Sequence, residues 1–197
     1  MPKSYLSLTL AALLALGTPV LAQDAAAPAE GSAQTQVDLG EKVDADGNAL
    51  GTTYDAETKG DWTIRCLRTE AEQDPCEMNQ MLNDQDGNSV AEVSMFKLPD
   101  GQPAVAGATI ATPLDTLLTE QLMISIDGGA AKKYPFRFCT RQGCFAQIGF
   151  TAAEIESFKK GKAATLVIVP RVAPDQQVKL TLSLSGFTDA FATIPAR

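Results

Sequence analysis

Four cysteines stand in a chain that contains no histidine, and this combination limits its chemistry more than any other feature. Cys66 and Cys76 enclose nine residues, and Cys139 and Cys144 enclose four. Neither spacing gives the C-x-x-C pairs of a four-cysteine zinc site or of a thioredoxin-like redox site. Without histidine, the commonest general base is missing and a Ser-His-Asp triad cannot form. The sequence therefore predicts no catalytic, metal-binding or cofactor-binding residues and favours a protein that is not an enzyme.

The first 22 residues have the pattern of a secretory signal peptide. Lys3 precedes an apolar run from Leu8 to Leu16, and small or aliphatic residues stand before a predicted cleavage site after Ala22. The run is too short to span a bilayer, and no later segment is long and apolar enough to do so. We therefore expect a chain without a transmembrane segment. Its predicted location is the periplasm, the secreted fraction or the outer surface of the cell.

Export makes disulfides the favoured role of the cysteines, because disulfides persist outside the cytosol. Four cysteines allow three connectivities. Each sequence-adjacent pair flanks a turn-rich segment, so Cys66–Cys76 and Cys139–Cys144 are the predicted bonds. The alternative is a labile, regulatory bond at Cys139–Cys144, with two nearby arginines lowering a thiol pKa.

The second cysteine pair also predicts the register of a hairpin. If its two sulfurs meet across a four-residue loop, Phe138 faces Phe145 on the opposite side of the hairpin and Arg137 faces Ala146. Gly143 supplies a residue with positive φ in the turn. The disulfide and the packing of the two phenylalanines therefore predict the same register for the hairpin.

Composition divides the exported chain into a leader and a domain. Residues 23–59 are rich in small and acidic residues and poor in large apolar ones, so they are predicted to form a flexible acidic leader. Residues 60–197 hold sixteen acids and thirteen bases, a net charge of about −3, which disfavours nucleic-acid binding.

Alternating apolar residues over the domain predict strands. Trp62, Ile64 and Cys66 share one face of the first strand, and turn signals recur about every ten residues. One short helix is predicted after Thr151, which forms a capping box with Glu154. The predicted fold is an immunoglobulin-like or jelly-roll-type antiparallel β-sandwich with one short helix, stapled by disulfides.

Basic residues concentrate in one predicted hairpin and are the candidate partner-binding residues: Lys132, Lys133, Arg137 and Arg141. They suit an acidic protein partner or an anionic component of the envelope. The simpler interpretation is an edge hairpin whose charges prevent aggregation.

Three motifs together resemble the invasion-associated locus B family of exported bacterial proteins. They are "GDWTIRC" at residues 60–66, "FRFCTRQGCFAQIGF" at residues 136–150 and "LSLSGFTDA" at residues 182–190. The resemblance covers residues 60–190 and implies a compact β-sandwich with a signal peptide, placed in the periplasm or at the outer surface. Some members are linked to entry into host cells, and the resemblance transfers no catalytic residues.

These observations favour an exported, envelope-associated or secreted binding module. A structural or stress-protective periplasmic protein without a specific ligand is the alternative. A thiol-redox enzyme is the third interpretation, and it depends on a labile Cys139–Cys144 bond.

Overall fold

Eleven antiparallel strands form two sheets within residues 40–196, the part of the chain that this computed structural model describes. The strands are β1 Thr53–Lys59, β2 Trp62–Leu67, β3 Cys76–Asn83, β4 Ser89–Lys97, β5 Ala106–Thr112, β6 Leu122–Ile126, β7 Lys132–Tyr134, β8 Phe136–Thr140, β9 Gly143–Phe150, β10 Ala163–Ile168 and β11 Val178–Ser183. The helices are α1 Ala152–Lys160 and α2 Phe187–Thr193, with a 3-10 turn at Leu118–Glu120. The predicted signal peptide and leader residues 23–39 lie outside the described residues.

The two sheets confirm the predicted β-sandwich. The large sheet has the order β1-β2-β3-β4-β5-β9-β8, and the small sheet has the order β11-β10-β6-β7. Both sheets contribute side chains to one hydrophobic core. On β2, Trp62, Ile64 and Cys66 are buried as predicted, and Leu180 and Leu182 of β11 are buried in the small sheet.

A second helix follows the last strand and was not predicted. Gly186, with φ 79°, precedes α2, and Phe187, Ala190 and Phe191 of α2 are buried. The sequence gives no side-chain N-cap signal there, and a seven-residue helix is too short to show a clear period. Helix α1, in contrast, has the predicted capping box between Thr151 and Glu154.

The start of the domain and its end are clasped together beside the core. The indole of Trp62 packs edge-on against Phe187, with ring centroids 5.6 Å apart, and its N–H donates to the Ser183 carbonyl at 3.0 Å. The backbone N–H of Asp61 donates to the Ser185 carbonyl at 3.1 Å. A Cβ added to Gly186 would overlap the Lys59 carbonyl, so the two chain segments meet backbone to backbone. We call this contact between residues 59–62 and 183–187 the terminal clasp.

Strand β1 corrects the predicted flexible leader over its last seven residues. Thr53–Lys59 pairs with β2 from Thr53↔Leu67 to Lys59↔Trp62. Most of its side chains are exposed, so backbone pairing at the sheet edge, rather than burial, holds the strand. Composition could not reveal it, because a strand held in this way needs few apolar residues. Earlier residues of the predicted leader also contact the domain, since Asp44 pairs with Arg68 at 3.0 Å.

Candidate functional site

The β8–β9 hairpin is closed by the predicted Cys139–Cys144 disulfide. The two Cα atoms are 4.0 Å apart. Thr140 pairs with Gly143, so the connecting loop is the two residues Arg141 and Gln142 rather than the predicted four. The other predicted bond, Cys66–Cys76, joins β2 to β3. Both predicted disulfides are confirmed.

The register of this hairpin is confirmed for the aromatic pair and wrong for the next position. Phe138 pairs with Phe145, and their rings stack with centroids 5.1 Å apart. Ala146, however, pairs with Phe136, because a bulge between Phe136 and Phe138 leaves Arg137 unpaired in the ladder. The bulge places an apolar side chain, packed against the core, opposite buried Ala146 and keeps the arginine exposed.

The turn of the hairpin is anchored on the neighbouring strand β5. Gly143 has φ 151°, and a Cβ there would overlap the Thr112 carbonyl oxygen. The Thr112 hydroxyl donates to the Cys144 carbonyl at 3.1 Å. The sequence prediction of a positive φ at Gly143 is therefore confirmed, and close backbone approach is a second reason for glycine.

The four predicted partner-binding residues lie on two sheets rather than on one hairpin. Lys132 and Lys133 belong to β7 of the small sheet, and the chain crosses to the large sheet at Pro135. Lys132 forms an ion pair with Glu154 at 2.7 Å, and Lys133 forms one with Glu120 at 3.6 Å. The structure therefore corrects the prediction that these lysines share a hairpin with the arginines.

Arg137 and Arg141 differ from the lysines because they form no ion pair within residues 40–196. Both are exposed, and Phe138 between them is 47% exposed although its ring stacks on Phe145. Arg137, Phe138 and Arg141 form what we call the hairpin surface. It combines an uncompensated positive charge with an aromatic ring on a covalently closed hairpin.

Strand β8 is also an edge strand. It is the last strand of the large sheet and pairs only with β9 among the described strands. One side of its backbone is therefore open to pairing with another chain. A partner could therefore contact the side chains of the hairpin surface and the open backbone edge of β8 at the same place.

A cleft of about 470 Å³ lies between β6, β7 and α1. Tyr134, Phe150 and Phe158 line its apolar part, while Lys132 and Glu154 form an ion pair at its wall. Burial raises the pKa of the Tyr134 phenol. Burial also acts to raise the pKa of Glu154, but hydrogen bonds from Lys132 and from Thr151 outweigh it and hold this pKa below its ordinary value. The positive charge of Lys132 is therefore balanced by Glu154 of the same chain.

Sequence reasoning identified Arg137 and Arg141 but missed the exposure of Phe138. The predicted register placed Phe138 on the face of the hairpin opposite to the disulfide. It could not show whether that face is exposed to solvent, because this depends on where the small sheet packs. Pro135 was the one signal that could have separated the lysines from the arginines, because proline interrupts backbone pairing.

Within residues 40–196, no group of three or more acidic or cysteine side chains is placed to hold a metal ion. None of the described helices is both long and apolar enough to cross a membrane.

The fold and the hairpin define a class: a two-sheet antiparallel β-sandwich closed by two disulfides, with an exposed edge hairpin. The family model described as "Invasion associated locus B (IalB) protein" matches residues 62–195. The chain belongs to this family.

Named relatives and a solved structure agree with this membership. Invasion protein B homologs of Brucella abortus strain 2308 and of Brucella abortus biovar 1 strain 9-941 are each 28% identical over 141 residues, covering 71% of this chain and 79% of the relative. The crystal structure of invasion associated protein B from Bartonella henselae is similar with a TM-score of 0.58 and 25% identity. That match covers 69% of this chain and 92% of the solved one.

Proposed function

We propose that this protein is an exported, non-enzymatic interaction module of the cell envelope or outer surface, and that it binds its partner through the hairpin surface. One observation carries the proposal: Phe138 is half-exposed between two arginines that have no ion-pair partner within the described residues. Arginine and aromatic residues are enriched in the central contacts of protein interfaces.

The staple favours binding at this place. A disulfide across β8 and β9 limits the motion of the hairpin before a partner arrives. Less conformational entropy is then lost when the surface is ordered in a complex.

Charge favours an acidic partner. The whole chain has a formal net charge of −8, so Arg137 and Arg141 form a local positive region on an acidic protein. Such a region steers association with a negatively charged surface and disfavours other orientations. An acidic protein or an anionic envelope component meets this requirement. Lys132 and Lys133 contribute less, because each already has an acidic partner.

Export is supported by the signal pattern of residues 1–22 and by two disulfides. The names of the Brucella and Bartonella relatives support a link to invasion. In this proposal the chain acts at the envelope, and a role in host-cell entry follows where its source organism enters host cells.

The disulfide geometry supports a structural rather than a catalytic role for the cysteines. Each bond joins two residues that are paired across neighbouring strands, Cys66 with Cys76 and Cys139 with Cys144. The sheet register therefore holds each pair of sulfurs together, as a structural cross-link requires. A thiol-redox enzyme is therefore the weakest of the three interpretations.

Crosslinking of the native protein in envelope extracts tests the proposal. The double variant Arg137→Glu/Arg141→Glu should lose the partner bands that the wild type forms. The matched control Lys162→Glu/Lys179→Glu makes the same change in net charge at exposed lysines with no ion pair in the described residues, and it should keep those bands. Bands in none of the three proteins would instead support a structural protein without a specific ligand, and equal bands in all three would show that the partner binds away from the hairpin surface.

A further inference from the structure

We propose that the open edge of β8 binds an extended acidic segment of a partner protein as an additional strand of the large sheet. This inference rests on the proposed function and names the partner class and the mode of binding. It follows from the backbone geometry of the hairpin, from its charge and from a comparison with the other sheet edges.

The backbone of Cys139 faces the open edge. Its Cα lies 4.0 Å from that of Cys144, the short separation typical of a non-hydrogen-bonded pair in an antiparallel ladder. Residues in such pairs direct their N–H and C=O groups away from the partner strand. Because no further strand follows β8 in the large sheet, the N–H and C=O groups of Cys139 point toward the open side.

The charges along this edge select the incoming segment. Arg137 and Arg141 flank Cys139 at two positions on either side, and neither has an acidic partner among the described residues. A strand laid along β8 would bring its own side chains beside both. Glutamate or aspartate there gains charge-assisted hydrogen bonds, and arginine can form them in a bidentate geometry.

Besides acidic residues, the incoming segment needs an apolar residue that can pack against the exposed ring of Phe138. In an added strand, side chains alternate between the two faces of the sheet. A β-branched residue beside Phe138 would cover part of the ring that Phe145 leaves exposed. The preferred segment therefore alternates acidic with β-branched residues.

The other described sheet edges do not combine these features. Edge strand β1 has one base, Lys59, and it is paired with Glu57, so this edge offers an acidic segment no unpaired positive charge. On edge strand β7, both lysines are already paired with acids. Edge strand β11 has one lysine, Lys179, and no exposed aromatic residue.

A synthetic peptide tests the inference on the full-length exported protein. The probe is a fluorescein-labelled peptide with the sequence Glu-Val-Glu-Thr-Glu-Val-Glu, and binding is measured by fluorescence anisotropy. Saturable binding is expected, weakened about tenfold or more by Arg137→Glu/Arg141→Glu and unchanged by Lys162→Glu/Lys179→Glu, because charge reversal replaces attraction with repulsion at both arginines. A peptide with lysine in place of glutamate should not bind.

Backbone methylation separates strand addition from simple charge attraction. N-methyl groups on alternate peptide bonds remove N–H donors without changing the charge, so the methylated acidic peptide should lose binding. Equal binding of the methylated and unmethylated peptides overturns strand addition. Absence of any saturable peptide binding overturns it as well.

The experiment also separates this inference from the proposed function. If the peptides fail while envelope crosslinking still depends on Arg137 and Arg141, strand addition is wrong and the interaction module stands. If the wild type instead sediments with phosphatidylglycerol vesicles in a manner that requires both arginines, the acidic partner is a lipid surface, and the inference is again overturned.

Discussion

Gln80 of the large sheet exchanges two hydrogen bonds with the backbone of Ser183 in the small sheet. The Ser183 N–H donates to Oε1 of Gln80 at 2.8 Å, and Nε2 of Gln80 donates to the Ser183 carbonyl at 3.1 Å. The indole N–H of Trp62 donates to the same carbonyl at 3.0 Å. Gln80 is 8% exposed, so the link lies inside the sandwich and fixes the two sheets relative to each other at this point.

Replacing Gln80 with leucine should lower the free energy of unfolding by about 1–3 kcal/mol, because the half-buried Ser183 backbone loses both of its hydrogen bonds to the Gln80 side chain. Urea denaturation measures the change. Gln147→Leu, at an exposed position of β9, is the matched control and should change stability little. Equal stabilities of the two variants would show that the hydrogen bonds to Ser183 contribute nothing net.

Replacing Gly186 with alanine should destabilise the protein far more than the same change at Gly87. Both glycines have positive φ, 79° and 84°, so both variants carry the backbone strain of about 1–2 kcal/mol. Only at Gly186 does the new Cβ meet backbone, the Lys59 carbonyl, whereas nothing lies within 4 Å at Gly87. We therefore expect Gly186→Ala to lower Tm much more than Gly87→Ala does, or to prevent folding. Similar Tm values for the two variants would contradict the terminal clasp.

Replacing Cys139 and Cys144 together with alanine should lower stability by roughly 2–3 kcal/mol in the chain-entropy model for a short closed loop. The variant should still fold, because Phe138 and Phe145 remain stacked in the same register. Chemical denaturation measures the loss, and peptide mapping without reducing agent checks the bonds in the wild type. A peptide that links Cys66 or Cys76 to Cys139 or Cys144 would contradict the pairing.

The carboxylate of Asp127 should make stability depend on pH. It accepts hydrogen bonds from the backbone N–H groups of Ala163 and Lys162 at 3.0 and 3.1 Å, and these bonds lower its pKa below the ordinary value of 3.8. Because the folded pKa is lower than the unfolded one, the stabilisation is fully present above the unfolded value and is lost as pH falls through the folded value.

Comparing the wild type with Asp127→Asn isolates this effect. The Tm difference between them should be constant near neutral pH and should shrink as the solution is acidified below about pH 4. Asp175→Asn, in the exposed loop between β10 and β11, is the control for a change of one charge. A difference for Asp127→Asn that does not vary with pH would contradict the assigned role of the carboxylate.

The sequence predicted those parts of the fold that local patterns determine. Alternation placed Trp62 and Ile64 in the core, the capping box placed α1, and the cysteine spacing gave the pairing of Phe138 with Phe145. It failed for β1, whose polar residues are held by backbone pairing, and for α2, which is helical because Phe187 and Phe191 pack into the core.

The positions of the four candidate basic residues were predicted in part for a similar reason. Arg137 and Arg141 lie on the β8–β9 hairpin as expected, but Lys132 and Lys133 were grouped with them because only one residue, Pro135, separates β7 from β8. Their partners Glu154 and Glu120 come from other elements, and sequence spacing cannot show such contacts. The bulge at Arg137 was missed for the same reason, since it depends on which residue faces buried Ala146.

The terminal clasp has a consequence for the order in which the chain folds. Trp62 and Ser183 are 121 positions apart, yet they share a hydrogen bond at the edge of the core. An N-terminal fragment of the domain that lacks residues 183–187 therefore leaves the indole without its cover and without its acceptor. Contacts between residues so distant in sequence slow the folding of β proteins, because a long loop must close before they form. A domain that has been synthesised only as far as β10 therefore lacks part of its core, and residues 183–187 help to complete it.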